Sequence, residues 1–140
     1  MSETPSPDGQ ALFRHSIKVR YGECDMQGVV FNPNYWVYVD DVVDQWLIAT
    51  LGRDWNQRFD CVVKKATMEW HAAAHHGDMV EFVLSVSRWG NTSFDVRLSA
   101  TVAGQPVITA DVVYISVEPG THSPYPVSPS IRAELSRPVA

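Results

Sequence analysis

Asp25, two glycines and the start of a helix lie within one short segment, Arg20-Tyr21-Gly22-Glu23-Cys24-Asp25-Met26-Gln27-Gly28-Val29-Val30-Phe31-Asn32-Pro33-Asn34-Tyr35. A helix N-terminus presents backbone N–H groups with no intrahelical partner and the positive end of the macrodipole, so it can bind an oxyanion or polarise a carbonyl. Asp25 stands seven residues before Asn32, across a short Gly-containing excursion, and can fold back to face that terminus. A carboxylate beside such an electrophile site is the minimal equipment for acyl transfer or hydrolysis. Glu23, nearby, reads as a solvated acid. Cys24 is a poor nucleophile, because a neighbouring carboxylate raises a thiol's pKa and no positioned base is visible.

Other reactive side chains offer less. His71 and His75 are four apart in a segment of strand character, which places them on one face but about 13 Å apart, too far for one ion. Asp40, Asp41 and Asp44 match no calcium-loop spacing and read as a solvated or intersubunit helix face. No metal site is expected.

The elements that must hold Asp25 are legible from periodicity. Leu12 to Tyr21 alternates, with Phe13, Ile17, Val19 and Tyr21 on one side, as a half-buried strand does. From Asn34 to Leu51 the apolar positions shift to i, i+3, i+4, i+7, which predicts one helix of about five turns. Asn32 is its expected N-cap, Pro33 its first residue and Gly52 its C-terminal stop. Alternation returns in Cys61 to Trp70, Met79 to Arg88, Ser93 to Val102 and Val107 to Val117, with turn residues between these runs that predict successive antiparallel neighbours. The pattern implies an α+β domain in which a long helix packs on a five-stranded antiparallel sheet. One helix leaves part of the sheet bare, and oligomerisation is the expected cover.

The chain has 140 residues, 45% apolar and 19% charged, which suits one ordinary folded domain. Met1 to Gln10 reads as a frayed start, residues 11 to 118 as the folded domain, and 119 to 140 as a Pro-rich C-terminal tail. A net charge of -5 with no basic cluster argues against nucleic acid. No run is apolar and long enough to span a membrane, and the polar N-terminus is unlike a signal peptide, so a cytoplasmic location is expected. Two isolated cysteines suggest free thiols.

At the Asp25 segment the chain resembles the hotdog-fold acyl-CoA thioesterases of the 4-hydroxybenzoyl-CoA thioesterase type, including the Tol-Pal-associated bacterial subgroup. The likeness rests on Tyr21, Asp25, Gly28-Val29-Val30, Phe31 and Tyr35, on Asp40 where many members carry an acid, and on Met68 to Val80 as the second strand and its turn. The resemblance implies a dimer or tetramer with sites at subunit interfaces, and an acyl-CoA substrate without metal or redox cofactor. It makes Asp25 the catalytic carboxylate, as nucleophile or as base toward water, and the Asn32 backbone N–H the holder of the thioester carbonyl. Gly28 would let the chain approach the substrate, and Phe31, Tyr35 and Trp70 would shape the acyl end. The Tol-Pal-associated subgroup usually has His where this chain has Asn32, so the pattern here is the Asp-only one. Where some members bind CoA phosphates with a basic cluster, this chain offers Arg88 alone.

The expected activity is therefore hydrolysis of a small or medium acyl-CoA, aromatic acyl groups included. Two alternatives stand beside it. A non-catalytic hotdog module would bind acyl thioesters as a sensor or carrier partner. Hydratase or dehydratase chemistry would need a His, which His71 or His75 would have to supply from outside the loop.

Overall fold

In the computed structural model, which describes residues 10–139, α1 (Asn34–Leu51) buries Tyr35, Tyr38, Val39, Val42, Val43, Trp46, Leu47 and Leu51. These positions recur every three or four residues, so they form one apolar stripe. The stripe packs on a sheet of β1 (Ala11–Lys18), β2 (Asp60–Trp70), β3 (Met79–Trp89), β4 (Ser93–Val102) and β5 (Gln105–Val117), in the order β1-β3-β4-β5-β2. All pairings are antiparallel, which bears out the α+β reading. The register aligns Phe82, Ala100 and Ile108 across three strands, and each is buried, so the sheet offers the helix a continuous apolar face.

The opposite face is largely polar. Arg97 pairs with Asp111 at 2.8 Å, and Glu69, Ser99 and Thr109 lie along neighbouring rungs. An antiparallel sheet can leave such a face to water, so this side does not need the second cover inferred from the helix count.

Four sequence expectations change. The connection from β2 to β3 is not a hairpin: it carries the chain from one sheet edge past β5 and β4, three strand spacings or about 14 Å. Residues 71–78 make that crossing while bonded to the loop before α1, with Val30 N–H donating to the Ala74 carbonyl at 2.9 Å and His76 N–H to Gly28 at 3.0 Å. Turn-forming residues were compatible with both routes, and these long-range bonds select the crossing.

Asn32 does not cap α1 through its side chain. Pro33 already has helical angles (φ -59°, ψ -25°), and the N–H groups of Asn34, Tyr35 and Trp36 bond three residues back to Phe31, Asn32 and Pro33. This tight first turn satisfies the donors a cap would have taken. The helix does stop at Gly52, whose φ of 101° favours glycine. A short α2 (Trp55–Arg58) follows in a stretch read as loop.

Packing also continues past Glu118, within the residues read as a tail. α3 (Pro129–Leu135) is capped by Ser128 Oγ, which accepts from Ile131 N–H at 3.3 Å, and it buries Ile131 and Leu135 in the common core. Arg132 lies 5.3 Å from the centre of the Trp89 ring, and Glu134 pairs with Arg58 at 2.8 Å. The surrounding prolines hid a helix of seven residues, too short to show periodicity. Leu135→Ala is expected to lower stability by about 2–5 kcal/mol, measured by urea unfolding, because Leu135 is fully buried. A loss below roughly 0.5 kcal/mol would mean that α3 does not share the core's cooperative unfolding.

Candidate active site

The segment between β1 and α1 folds into a small hairpin. Phe31 N–H donates to the Glu23 carbonyl at 2.9 Å, Cys24 bridges Val30, and Asp25 N–H donates to the Val29 carbonyl at 2.9 Å. Gly28 turns the chain at its tip with φ 79°, its N–H donating to the Asp25 carbonyl at 3.0 Å. Among the described residues, no heavy atom outside its chain neighbours lies within 4 Å of a Cβ added there, so glycine is favoured by the left-handed backbone rather than by crowding. Asp25 is exposed. Its Oδ1 accepts the Gln27 N–H at 2.8 Å, while Oδ2 has no hydrogen-bond partner among the described residues.

A cleft of about 400 Å³ opens beside this hairpin, lined by Val29, Val30, Asn32, Tyr35, Trp70, His71, Ala72 and Ala73. Asp25 does not line it but is bonded through its backbone to Val29, which does. Asn32 lines this cleft, its N–H has no acceptor among the described residues, and the next residue, Pro33, has no N–H at all. No acid occupies the first turn of α1, so nothing there offsets the positive end of the helix. An unsatisfied donor at a helix start, with a carboxylate across a short hairpin, can stabilise charge developing on a carbonyl oxygen.

Tyr35 forms a fixed inner wall. It is almost fully buried, and its hydroxyl accepts the Ala74 N–H at 3.1 Å. Burial raises its pKa, the main cause, so the phenol stays neutral. Trp70 lines the cleft while half exposed, whereas Phe31 is exposed and outside the lining.

Arg88 is not brought to the cleft. It bonds to Asp95 and Ser93 Oγ, both at 2.8 Å, and the cross-strand register puts it level with Lys65. That rung is five residues along β2 from Trp70, about 17 Å away.

The histidines have separate partners. His71 Nε2 lies 2.9 Å from Thr109 Oγ1, His75 Nδ1 3.7 Å from Asp78, and the His76 ring meets the edge of Tyr21. Among the described residues no three His, Cys, Asp or Glu side chains are placed to hold a metal ion. The helix acids diverge too. Asp41 approaches His15 at 3.8 Å, Asp44 accepts from Trp55 Nε1 at 3.2 Å, and burial raises the pKa of Asp40. The Cys24 thiol pKa is pushed up by burial first and by Asp25 and Glu23 next, which disfavours the thiolate.

Two residues escaped the sequence reading. Glu23 is not solvated: its side chain is 15% exposed and its carboxylate accepts from Arg20 and Tyr38. Ala74, a featureless residue in sequence, supplies both a carbonyl to Val30 and an N–H to Tyr35. The Arg20-to-Glu23 spacing was a visible signal, whereas the Tyr38 and Ala74 contacts are long-range.

A model of the thioesterase-like superfamily matches residues 19–135. The chain is 26% identical over 134 residues to the acyl-CoA thioester hydrolase YbgC of Escherichia coli O6:H1, covering 90% of this chain and 97% of that protein. Among solved structures, the PA5185 protein of Pseudomonas aeruginosa superposes with a TM-score of 0.81 at 25% identity, covering 91% of each chain. BH1999 gentisyl-coenzyme A thioesterase superposes with a TM-score of 0.79 at 18% identity, over 88% of this chain and 99% of that one.

Proposed function

The chain belongs to the thioesterase-like superfamily and is a hotdog-fold thioester hydrolase, and from that premise we propose that it hydrolyses a small or medium acyl-CoA, aromatic acyl groups included, with Asp25 as the catalytic carboxylate. The observation that carries the reading is that Asn32, whose N–H at the start of α1 has no acceptor among the described residues, lines a cleft bordered by the hairpin that holds Asp25. With the thioester carbonyl at that N–H, Asp25 either attacks the carbonyl carbon or takes a proton from an attacking water. The helix dipole and the N–H stabilise the oxyanion, which collapses to expel the CoA thiolate. Water is the only co-substrate, as the attacking group in the second route and as the agent that hydrolyses the Asp25 acyl anhydride in the first, and the products are an acid and a thiol. Val29, Val30, Tyr35 and Trp70 accommodate the acyl group. Hydratase chemistry is less well supported, because the His71 ring is engaged by Thr109.

Part of the proposal is assembly, in a cytoplasmic setting, as a homodimer or homotetramer. β2 is an edge strand with Val62, Val63 and Trp70 exposed, and unpaired backbone beside apolar side chains favours pairing with a second copy. Light scattering is expected to give two or four times the chain mass, and a monomer would remove this part.

The activity is tested by thiol release from short, medium, long and aromatic acyl-CoA esters. Turnover of any of them supports the reading and identifies the acyl preference. Saturable binding without release of thiol would instead make this a module that senses or carries acyl thioesters.

A further inference from the structure

Glu23 joins every part of the candidate site. Its carbonyl accepts the Phe31 N–H and Asn34 Nδ2, both at 2.9 Å, which closes the base of the Asp25 hairpin against the first turn of α1. Its carboxylate accepts the Arg20 N–H at 2.9 Å, Arg20 Nε at 3.0 Å and a further bond from Arg20 Nη2. The same carboxylate accepts the Tyr38 hydroxyl at 2.8 Å, one turn further along the helix. Arg20 lies before the hairpin, Phe31 ends it, and Asn34 and Tyr38 belong to α1. Between them, the carbonyl and carboxylate of Glu23 thus gather donors from before the hairpin, from its end and from α1.

We infer that Glu23 is a positioning residue, which ties the Asp25 hairpin to α1 and so fixes the Asp25 carboxylate relative to the Asn32 N–H. The inference rests on the thioesterase reading for its activity measurement and on hydrogen bonding alone for its structural one. Charge-assisted bonds of this kind are short and directional, and a displacement of about 1 Å at a reacting group can cost roughly a hundredfold in rate. Burial alone would raise the Glu23 pKa, but bonds from Arg20 and Tyr38 outweigh it and hold the carboxyl below its ordinary value. A carboxyl whose pKa falls on folding contributes stability above its unfolded pKa and loses it as pH drops through the folded one, so the strap is intact near neutrality.

Glu23→Gln and Tyr38→Phe test this. The amide presents an NH₂ group where the carboxylate accepts, and the phenylalanine removes the donor from α1 while keeping the ring. In both, kcat is expected to fall about 10- to 100-fold with KM changed less than about threefold, since binding groups stay in place while the reacting ones are misaligned. The double variant is expected to lose little more than the worse single one, because both cut one strap. Amide exchange at Phe31, read without substrate, is expected to quicken about tenfold or more in each variant.

Wild-type kcat in both variants, or unchanged Phe31 exchange, would overturn the inference. So would equal losses from each variant that multiply in the pair. Failure of the thioesterase reading shows itself elsewhere, as absence of thiol release from the unmodified protein, and the exchange measurement still decides the role of Glu23 in that case.

Discussion

Asp25→Asn is expected to reduce thiol release by about a hundredfold or more, with stability and oligomeric state unchanged. The substitution separates charge from shape unusually well here. Oδ1 accepts the Gln27 N–H, a bond the asparagine carbonyl reproduces, while Oδ2 has no partner among the described residues and is simply replaced by an NH₂ group. The Asx turn at the hairpin tip therefore persists, and Gly28 keeps its left-handed conformation. What disappears is a carboxylate oxygen on the hairpin that borders the cleft. An amide can neither attack a thioester nor accept a proton from water, so both mechanistic roles of Asp25 predict the same loss. Thermal unfolding should move by no more than a surface substitution does, about 0.5 kcal/mol. Retention of activity within about tenfold would transfer the carboxylate role to another acid. Asp40, on α1 with its pKa raised by burial, would then be the group to replace next.

The difference between what was legible in the sequence and what was not follows the range of the interactions. Period-two and period-3.6 patterns depend on near neighbours, so α1 and the five strands were readable from Asn34 to Leu51 and from the alternating runs. Strand order depends on long-range bonds. The turn residues after Trp70 gave no hint that the chain would cross past β5 and β4 to β3, because that route is held by Val19, Gly28 and Val30. Asn32 failed as a cap for a local reason that the sequence did contain: Pro33 sets a helical φ and lets the tight first turn supply the acceptors. That same turn leaves the Asn32 side chain without a capping bond and its N–H without an acceptor among the described residues. Asp25 could be singled out by type and spacing, but Glu23 looked like one more surface acid, since the Tyr38 hydroxyl that buries it lies fifteen residues away. Arg88 offers in sequence only a charge that could meet CoA phosphates, and the register and its Asp95 partner show how far along the sheet it lies.

Asn32 offers the complementary test, because its contribution is assigned to a backbone N–H that side-chain substitution leaves intact. Asn32→Ala is expected to keep kcat within a few-fold, as the amide side chain makes no hydrogen bond among the described residues. Asn32→Pro removes the donor itself and is expected to cost about 100- to 1000-fold in kcat, the loss typical of one missing oxyanion donor. Proline fits the local geometry. Asn34 N–H bonds to the Phe31 carbonyl, so residue 32 is the second residue of a tight turn, where proline is favoured. The preceding Phe31 leaves the Cys24–Val30 bridge, a setting compatible with the extended backbone that proline imposes on its neighbour. Because the lost N–H has no acceptor in the described residues, the substitution breaks no internal bond, and urea unfolding of the two variants should agree within about 1 kcal/mol. A large kinetic loss in both variants would trace the effect to the shape of the turn. Wild-type turnover in both would move the oxyanion donor away from α1, and would leave the Asp25 carboxylate without the electrophilic partner that gives it a task.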